Sequence, residues 1–346
     1  MVAKLAIAGL GNCAAVFLQG LDFYSKSDTK GLWHPEVAGL SPREISIVAA
    51  FDIDSRKVGK QISEAAFASP NVAKRYHTIR QGHVRVAPGV SRGDLPPHLR
   101  GMRIQKTDSA RVCKTLEESG AEIFVNLVSS GSDVSSTEYA KVALQAGCAF
   151  VNCTPTLIAN NNRLMATFQK AKVPLIGDDL MSQFGGTAFH KGLLGLMVRR
   201  GIKISKSYQL DVGGGSETLN TIDETIKMAK RRLKTTSVAS EVPYSFETVA
   251  GTTDYVDYMG NERTSYFWFE ASGFMNSGLS IDVYMRSSDG ANAGNILLDV
   301  IRATHGVMKS GKPNKTNEVC AYGFKSPPKP MRLDEALTRF SDLYIN

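Results

Sequence analysis

An α/β fold wound on a parallel sheet follows from three features of this sequence. A short apolar run, residues 5–8, breaks into Gly9 and Gly11, with Ala14 where a third small residue belongs. A second apolar run, residues 45–51, ends in Asp52. Beyond it, apolar runs, small-residue turns and helical stretches alternate to about residue 180. Together these predict a doubly wound Rossmann sheet whose first βαβ unit binds a dinucleotide.

Each position has a physical job. Gly9 permits the tight turn after the first strand. Gly11 lets a pyrophosphate lie against free amides, where Asn12 and Cys13 open a helix. Ala14 lets that helix pack close to its strand. Asp52 would accept hydrogen bonds from the adenosine ribose, and it would repel a 2′-phosphate, so it points to NAD rather than NADP. A loop over residues 25–42, with Trp33, His34 and Pro35, stretches the glycine-to-acid spacing beyond the usual ~20 residues.

The totals exclude several classes. The chain has 346 residues, 42% hydrophobic and 21% charged, enough for one large domain or two. No apolar run approaches the ~18 residues of a membrane span. The chain enters a strand at once, which leaves no room for a signal peptide. Five scattered cysteines, Cys13, Cys113, Cys148, Cys153 and Cys320, fit reduced thiols in the cytoplasm. Neither they nor the six histidines spell a metal site. A net charge of +8 favours anionic partners. Without a dense basic tract interleaved with aromatics, nucleic acid is not indicated, which leaves plain solubility or a phosphorylated small molecule as the readings of that charge.

Along the chain, residues 55–70 read as a helix ending at Pro70. Residues 71–105 are irregular, punctuated by His83, Pro88-Gly89, Gly93-Asp94 and Pro96-Pro97, and read as an arm or lid. A helix over 110–119 leads into a strand over 123–128. Ser129, Ser130, Gly131 and Ser132 then form a strand-to-helix turn of the kind that lines a ligand cleft. A helix over 136–147, a strand over 150–152 turned by Thr154-Pro155, a helix over 163–172 and a strand over 173–176 follow. That strand ends at Gly177-Asp178-Asp179. After about residue 200 the pattern alternates, over 205–212, 266–274 and 279–285, as in antiparallel strands with one buried face. A helix over 222–233 lies between them, and a helix over 295–307 closes the pattern. The expected division is 1–202 and 291–346 for the nucleotide-binding domain and 203–290 for an inserted α+β domain.

Five stretches carry a resemblance: Gly-Leu-Gly-Asn-Cys-Ala (9–14), Phe-Asp-Ile-Asp (51–54), Phe-Val-Asn-Cys-Thr-Pro (150–155), Pro-Leu-Ile-Gly-Asp-Asp (174–179) and Phe-Lys-Ser-Pro-Pro (324–328). In this order they resemble the inositol-phosphate synthases in their shorter archaeal and bacterial form. The resemblance implies a cytoplasmic homotetramer, a Rossmann domain completed by the C-terminal segment, and an inserted domain for catalysis and tetramerisation. It implies conversion of glucose 6-phosphate to an inositol phosphate with NAD regenerated each turnover, and it allows a cation near the phosphate. Lys230 and Lys234, four apart on one helix face, match the family's lysine pair. Lys325 matches its lysine before Ser-Pro-Pro, and Asp178 and Asp179 match its aspartate pair. Asp289 matches an acid before a glycine-rich turn, residues 290–294, which reads as a phosphate or nicotinamide site; a helix cap is the plainer reading of Asp289. Arg263 aligns with another active-site lysine. Ser129, Ser130 and Pro155 join Gly9, Gly11, Asn12, Cys13, Asp52 and Asp179 as the expected cofactor contacts.

The sequence also departs from that pattern. Met181 stands where a lysine is expected, and Tyr284 aligns with a further one. A polar run of the family survives only in part over residues 211–220, which include Glu217, and Asp211 and Gly215 alter the frame that would grip sugar hydroxyls. Arginine grips phosphate but carries no proton at neutral pH. The alternatives are therefore a paralogue that closes fructose 6-phosphate or another sugar phosphate to a five-membered carbocycle, a non-catalytic NAD-binding sensor, or a simple dehydrogenase. For the last, His190 is the histidine nearest the motifs, and it reads as packing rather than catalytic.

Overall fold

The computed structural model describes residues 2–26, 29–80, 84–93, 95–312 and 315–345. His83 and Asp94 lie outside them. Seven strands form the first sheet: β1 (Ala3–Ala8), β2 (Ile45–Asp52), β3 (Ala87–Val90), β4 (Lys106–Thr107), β5 (Ile123–Asn126), β6 (Ala149–Asn152) and β7 (Leu175–Ile176). Their order is β4-β3-β2-β1-β5-β6-β7, and every pairing is parallel. The central strands β5 and β6 are buried at every position, as strands covered on both faces must be. The covering helices are α1 (Asn12–Tyr24), α2 (Ile62–Ala65), α3 (Ser109–Ser119), α4 (Asp133–Gln145) and α5 (Asn162–Lys170). Strand order reverses between β1 and β5, which opens a crevice at their carboxyl ends.

Two expectations for this half need correction. The helix over 55–70 shrinks to the single turn α2. Gly59 takes φ +85°, which a right-handed helix cannot hold, and residues 59 and 60 pair with Val86 instead. Residues 71–105 are not simply an arm, because they supply strand β3, which pairs with β2 on one side and β4 on the other. Pro88 and Gly89 read as turn residues, yet a Cβ at Gly89 would lie 2.4 Å from the Tyr139 hydroxyl, which the Val90 amide meets at 2.8 Å.

After α6 (Gly186–Arg199) a second sheet begins: β8 (Lys203–Gly213), β9 (Glu247–Tyr255), β10 (Glu262–Ser272) and β11 (Gly278–Ser288), in the order β11-β10-β8-β9. It is mixed, not purely antiparallel, since β9 runs parallel to β8. Strand β9 escaped the alternation test because its middle, Ala250-Gly251-Thr252, is wholly buried beneath α8 (Glu224–Ala239). The inner face of the sheet meets α6 and α8 around Leu194, Met197, Val238, Phe267 and Phe269. Its outer face carries Tyr208 stacked on Trp268, beside Leu210, Tyr266 and an exposed Tyr284. The short α7 (Ser216–Leu219) precedes α8.

The chain returns through α9 (Asp289–Lys309), α10 (Asn317–Gly323) and α11 (Leu333–Tyr344). Helix α9 starts earlier than expected and absorbs residues 290–294. They are not a turn: Gly290 and Gly294 face α1 closely, with a Cβ at Gly290 falling 2.9 Å from Val16 Cγ2.

Candidate active site

The crevice holds two cavities that share Gly11, Leu127, Val128, Ser129 and Ser216. They form one cleft with a nucleotide end and a charged end. At the nucleotide end, Gly9 takes φ +89°, and a Cβ there would strike the Leu127 carbonyl at 2.6 Å. Gly11 is different. Its φ of −83° suits any residue, and a Cβ would meet no protein atom within 4 Å. The space beside it opens onto the N-terminus of α1, which no side chain caps and which holds no acid in its first turn. Free amides of this kind fit a pyrophosphate. Asp52 lines the same cavity. Its Oδ1 accepts the Ile53 and Asp54 amides at 2.8 and 2.9 Å, and its Oδ2 accepts the Leu10 amide at 2.8 Å. Three of about four lone-pair sites are filled, which leaves one for a ribose hydroxyl. These features fit a dinucleotide of the NAD type.

The charged end encloses about 1320 Å³ of empty space, its open mouth included. Four cations line it, and each meets a carboxylate. Lys230 Nζ donates to Glu217 Oε2 at 3.0 Å. Lys234 Nζ donates to Asp211 Oδ2 at 2.6 Å. Arg263 spans two acids, at 3.5 Å from Asp211 and 2.5 Å from Asp289. Lys325 Nζ donates to Asp179 Oδ1 at 2.6 Å. The i,i+4 spacing does put Lys230 and Lys234 on one face of α8, aimed at the cavity. Lys325 reaches it by backbone pairing, because its amide donates to the Asp179 carbonyl at 2.8 Å. Asp179 sits at φ +62°, the left-handed region that aspartate tolerates better than most residues.

Burial and charge set the proton states. Burial lowers the pKa of Lys234, with Arg263 and Lys325 adding to it, while Asp211 opposes. Burial works against ionisation of Asp211, yet Lys234, Arg263 and the Ser265 hydroxyl hold its carboxyl far below the usual range. Burial also opposes the Glu217 carboxylate, and Lys230 and Ser130 outweigh it, so its pKa is lowered. For Arg263 burial is outweighed by Asp289 and Asp211, and its pKa rises. Burial pushes the Cys13 thiol up to about 12, so it stays protonated where it lines the cavity.

The expected residues Asn12, Cys13, Ser129, Ser130, Pro155, Asp179, Lys230, Lys234, Arg263, Asp289 and Lys325 all line this cavity. Asp178 does not, and a direct catalytic role for it is corrected. It is fully buried and accepts from Asn152 Nδ2, the Ala159 and Asn160 amides and Asn160 Nδ2. Burial pushes its pKa up to about 6. It anchors the loop that presents Asp179. Met181 faces an apolar groove beside Trp33 and Phe189, and Tyr284 stands on the outer face of the second sheet. Neither replaces a charge at the cavity. His190 is buried between Ser207 and Gln209, and burial pushes it down to about 4.

Sequence reading had Asp211 and Glu217 only as departures, and missed Gln209, Asn261 and His98. Glu217 lies 13 residues from its lysine and Asp211 lies 23 from its own. No helical or strand period produces either spacing. Among the described residues no group of three or more His, Cys, Asp or Glu is placed to hold a metal ion.

A parallel Rossmann-type sheet with an uncapped helix N-terminus at its crevice, roofed by a second sheet that carries paired charges, places the chain in the α/β class with the layout of a dinucleotide-binding fold. Comparison with known proteins is more specific. The family model described as myo-inositol-1-phosphate synthase matches residues 185–290. The inositol-3-phosphate synthase of Corynebacterium glutamicum is 30% identical over 355 residues, covering 99% of this chain and 98% of that protein. The chain belongs to the inositol-phosphate synthase family. Among solved structures, that of Ari2 superposes with a TM-score of 0.79 at 29% identity, covering 99% of each chain. A myo-inositol-1-phosphate synthase-related protein from Thermotoga maritima has the same fold, with a TM-score of 0.83 at 19% identity, over 99% of this chain and 98% of that one.

Proposed function

We propose that this protein is an NAD-dependent cyclase that converts glucose 6-phosphate to an inositol phosphate without net redox. Bound NAD would take hydride from the sugar's C5 and return it to the closed ring. The chain's residues supply the rest. A C6 proton must leave, the resulting enolate must be held beside the C1 aldehyde, and the new alkoxide must be protonated. The observation that carries this reading is the set of four cations lining the charged cavity, which adjoins the nucleotide cavity through Gly11, Leu127, Val128, Ser129 and Ser216. Lys234 suits proton exchange, since burial lowers its pKa and Asp211 fixes its Nζ. Arg263 keeps a permanent charge, and Lys230 and Lys325 complete a cationic wall for enolate and alkoxide. The N-terminus of the 14-residue α6 opens on the cavity at Gly185, Gly186 and Thr187 with no side-chain cap or acid, and suits the phosphate.

The division into residues 1–202 with 291–346 and residues 203–290 belongs to this reading, supported by the change of sheet at Lys203 and the return at Asp289. The aromatic outer face of the second sheet is the surface we assign to a homotetramer. Five free thiols fit a reducing compartment, the cytoplasm. A second reading is supported by the Asp211–Arg263–Asp289 chain of ion pairs: a rewritten polar frame for fructose 6-phosphate and a five-membered carbocycle. The test is incubation with catalytic NAD and each sugar phosphate, followed by phosphorus and carbon NMR. An inositol phosphate from glucose 6-phosphate, with no NADH accumulating, is the expected result. A cyclitol phosphate from fructose 6-phosphate alone would select the second reading. Tight NAD binding with no turnover of either would select a sensor.

A further inference from the structure

The turn joining β5 to α4 is gripped from outside by both halves of the molecule. A Cβ at Gly131 would lie 2.6 Å from Ile226 Cδ1 and 3.3 Å from Pro96 Cβ. Pro96 belongs to the first half, and Ile226 to α8 of the second. Beside them His98 and Asn220 meet. Asn220 Oδ1 accepts the His98 amide at 3.3 Å, while its Nδ2 donates to the Ser130 carbonyl at 3.2 Å. Those two backbone partners fix which end of the amide is oxygen. Oδ1 can only accept, so His98 Nδ1, 2.8 Å away, carries the ring proton. Burial lowers the pKa of His98, so the ring is neutral and Nε2 is an acceptor. Ser129 Oγ, 2.9 Å from Nε2, must then give its one proton to the ring. Its lone pairs are left for a donor in the cleft, and Ser129 lines both cavities.

We propose that His98 and Asn220 form a clasp that ties the second sheet to the first across the dinucleotide and fixes the Ser129 hydroxyl as an acceptor for an N–H or O–H of the cofactor. His98 is a positioning residue, acting through Ser129. The proposal rests on the NAD part of the function above. It gives that function something the reaction needs. A cofactor reduced and reoxidised within one cycle must not leave between the two hydride transfers, or the sugar is stranded as a ketone. Two further contacts support the same closure: Glu217 accepts from the Ser130 amide and hydroxyl at 3.1 and 2.6 Å, and Arg100 pairs with Asp223 at 3.4 Å.

The experiment measures NAD and NADH dissociation by stopped-flow displacement on wild type, His98→Ala, His98→Gln and Asn220→Ala, with melting temperatures alongside. His98→Ala and Asn220→Ala should release both nucleotides at least about tenfold faster, a change of about 1.4 kcal/mol. In turnover, kcat/KM for NAD should fall more than kcat, and free NADH should appear. His98→Gln, whose amide oxygen can still accept from Ser129, should recover part of the loss. Asn220→Ala reaches the clasp from its other side and carries the test if His98→Ala folds poorly. Unchanged dissociation rates in folded variants would overturn the clasp alone. A wild type that binds no NAD would overturn the functional reading and the clasp together. A wild type that binds NAD but makes no cyclitol phosphate, with variants that still lose NAD faster, would remove the cyclase and keep the clasp.

Discussion

The two ends of the cleft are built from different materials. The nucleotide end leans on local backbone: Gly9, Gly11, the amides that open α1, and Asp52, itself oriented by three amides, with Lys57 at 3.7 Å and the Ser129 hydroxyl as side chains beside them. The charged end is mostly side chain. Its cations and acids come from β8, α7, α8, β10, α9, the loop at Asp179 and the segment after α10. A backbone site depends on local turns and tolerates change around it. A side-chain site depends on distant segments arriving within about 3 Å of one another, so a single substitution can unbalance it.

The contrast can be tested from its strong side first. Lys234→Met should lower single-turnover product formation by about 10³-fold, within the range for a lost proton-transfer group. NAD affinity by calorimetry should stay within about threefold. If both fell together, the two ends would not be separable. Gly11→Val should do the reverse. Its Cβ would meet no protein atom within 4 Å, so the melting temperature should hold while NAD binds at least about tenfold more weakly, or about 1.4 kcal/mol. Unaltered NAD affinity would mean that the pyrophosphate lies elsewhere.

The smallest effect concerns stability. His190 sits behind Gln209 and Asp211 with its pKa pushed down to about 4, chiefly by burial. Between that value and the ordinary ~6.5 the unfolded chain binds the extra proton, so stability is complete above about pH 6.5 and is lost as pH falls toward 4. His190→Gln cannot take up that proton. Its melting temperature should fall less between pH 7 and pH 5 than that of wild type, whatever its value at pH 7. An equal fall in both would show that the acid lability behind the charged end arises at other groups.

How much of this was legible in the sequence follows from the same contrast. The turn at Gly9 and Gly11, the acid at the tip of β2 and the two lysines of α8 are local patterns with fixed periods, and each stands where its spacing put it. Strand β3 was hidden because its Pro88-Gly89 pair has the composition of a turn, and β9 because its middle is buried at consecutive positions and shows no alternation. Asp178 and Asp179 are neighbours of one type, yet one is an anchor and the other lines the cavity. Backbone direction at a single residue decides that, and composition does not record it.

By itself the sequence determined the α/β class, the glycine turn after β1, the change of sheet after residue 202 and the family. These rest on hydrophobic period, glycine and chain order, which are properties of contiguous residues. Only the tertiary structure decided that Glu217 holds Lys230, that Asp211 lies between Lys234 and Arg263, that Tyr284 faces away from the cavity, and that His98 meets Asn220 over Ser129. Those pairs join residues 13 to 122 positions apart, and a charge has no period along the chain. Such groups are brought together by the packing of one sheet over another, which leaves them in a cleft where water screens them less than at an open surface.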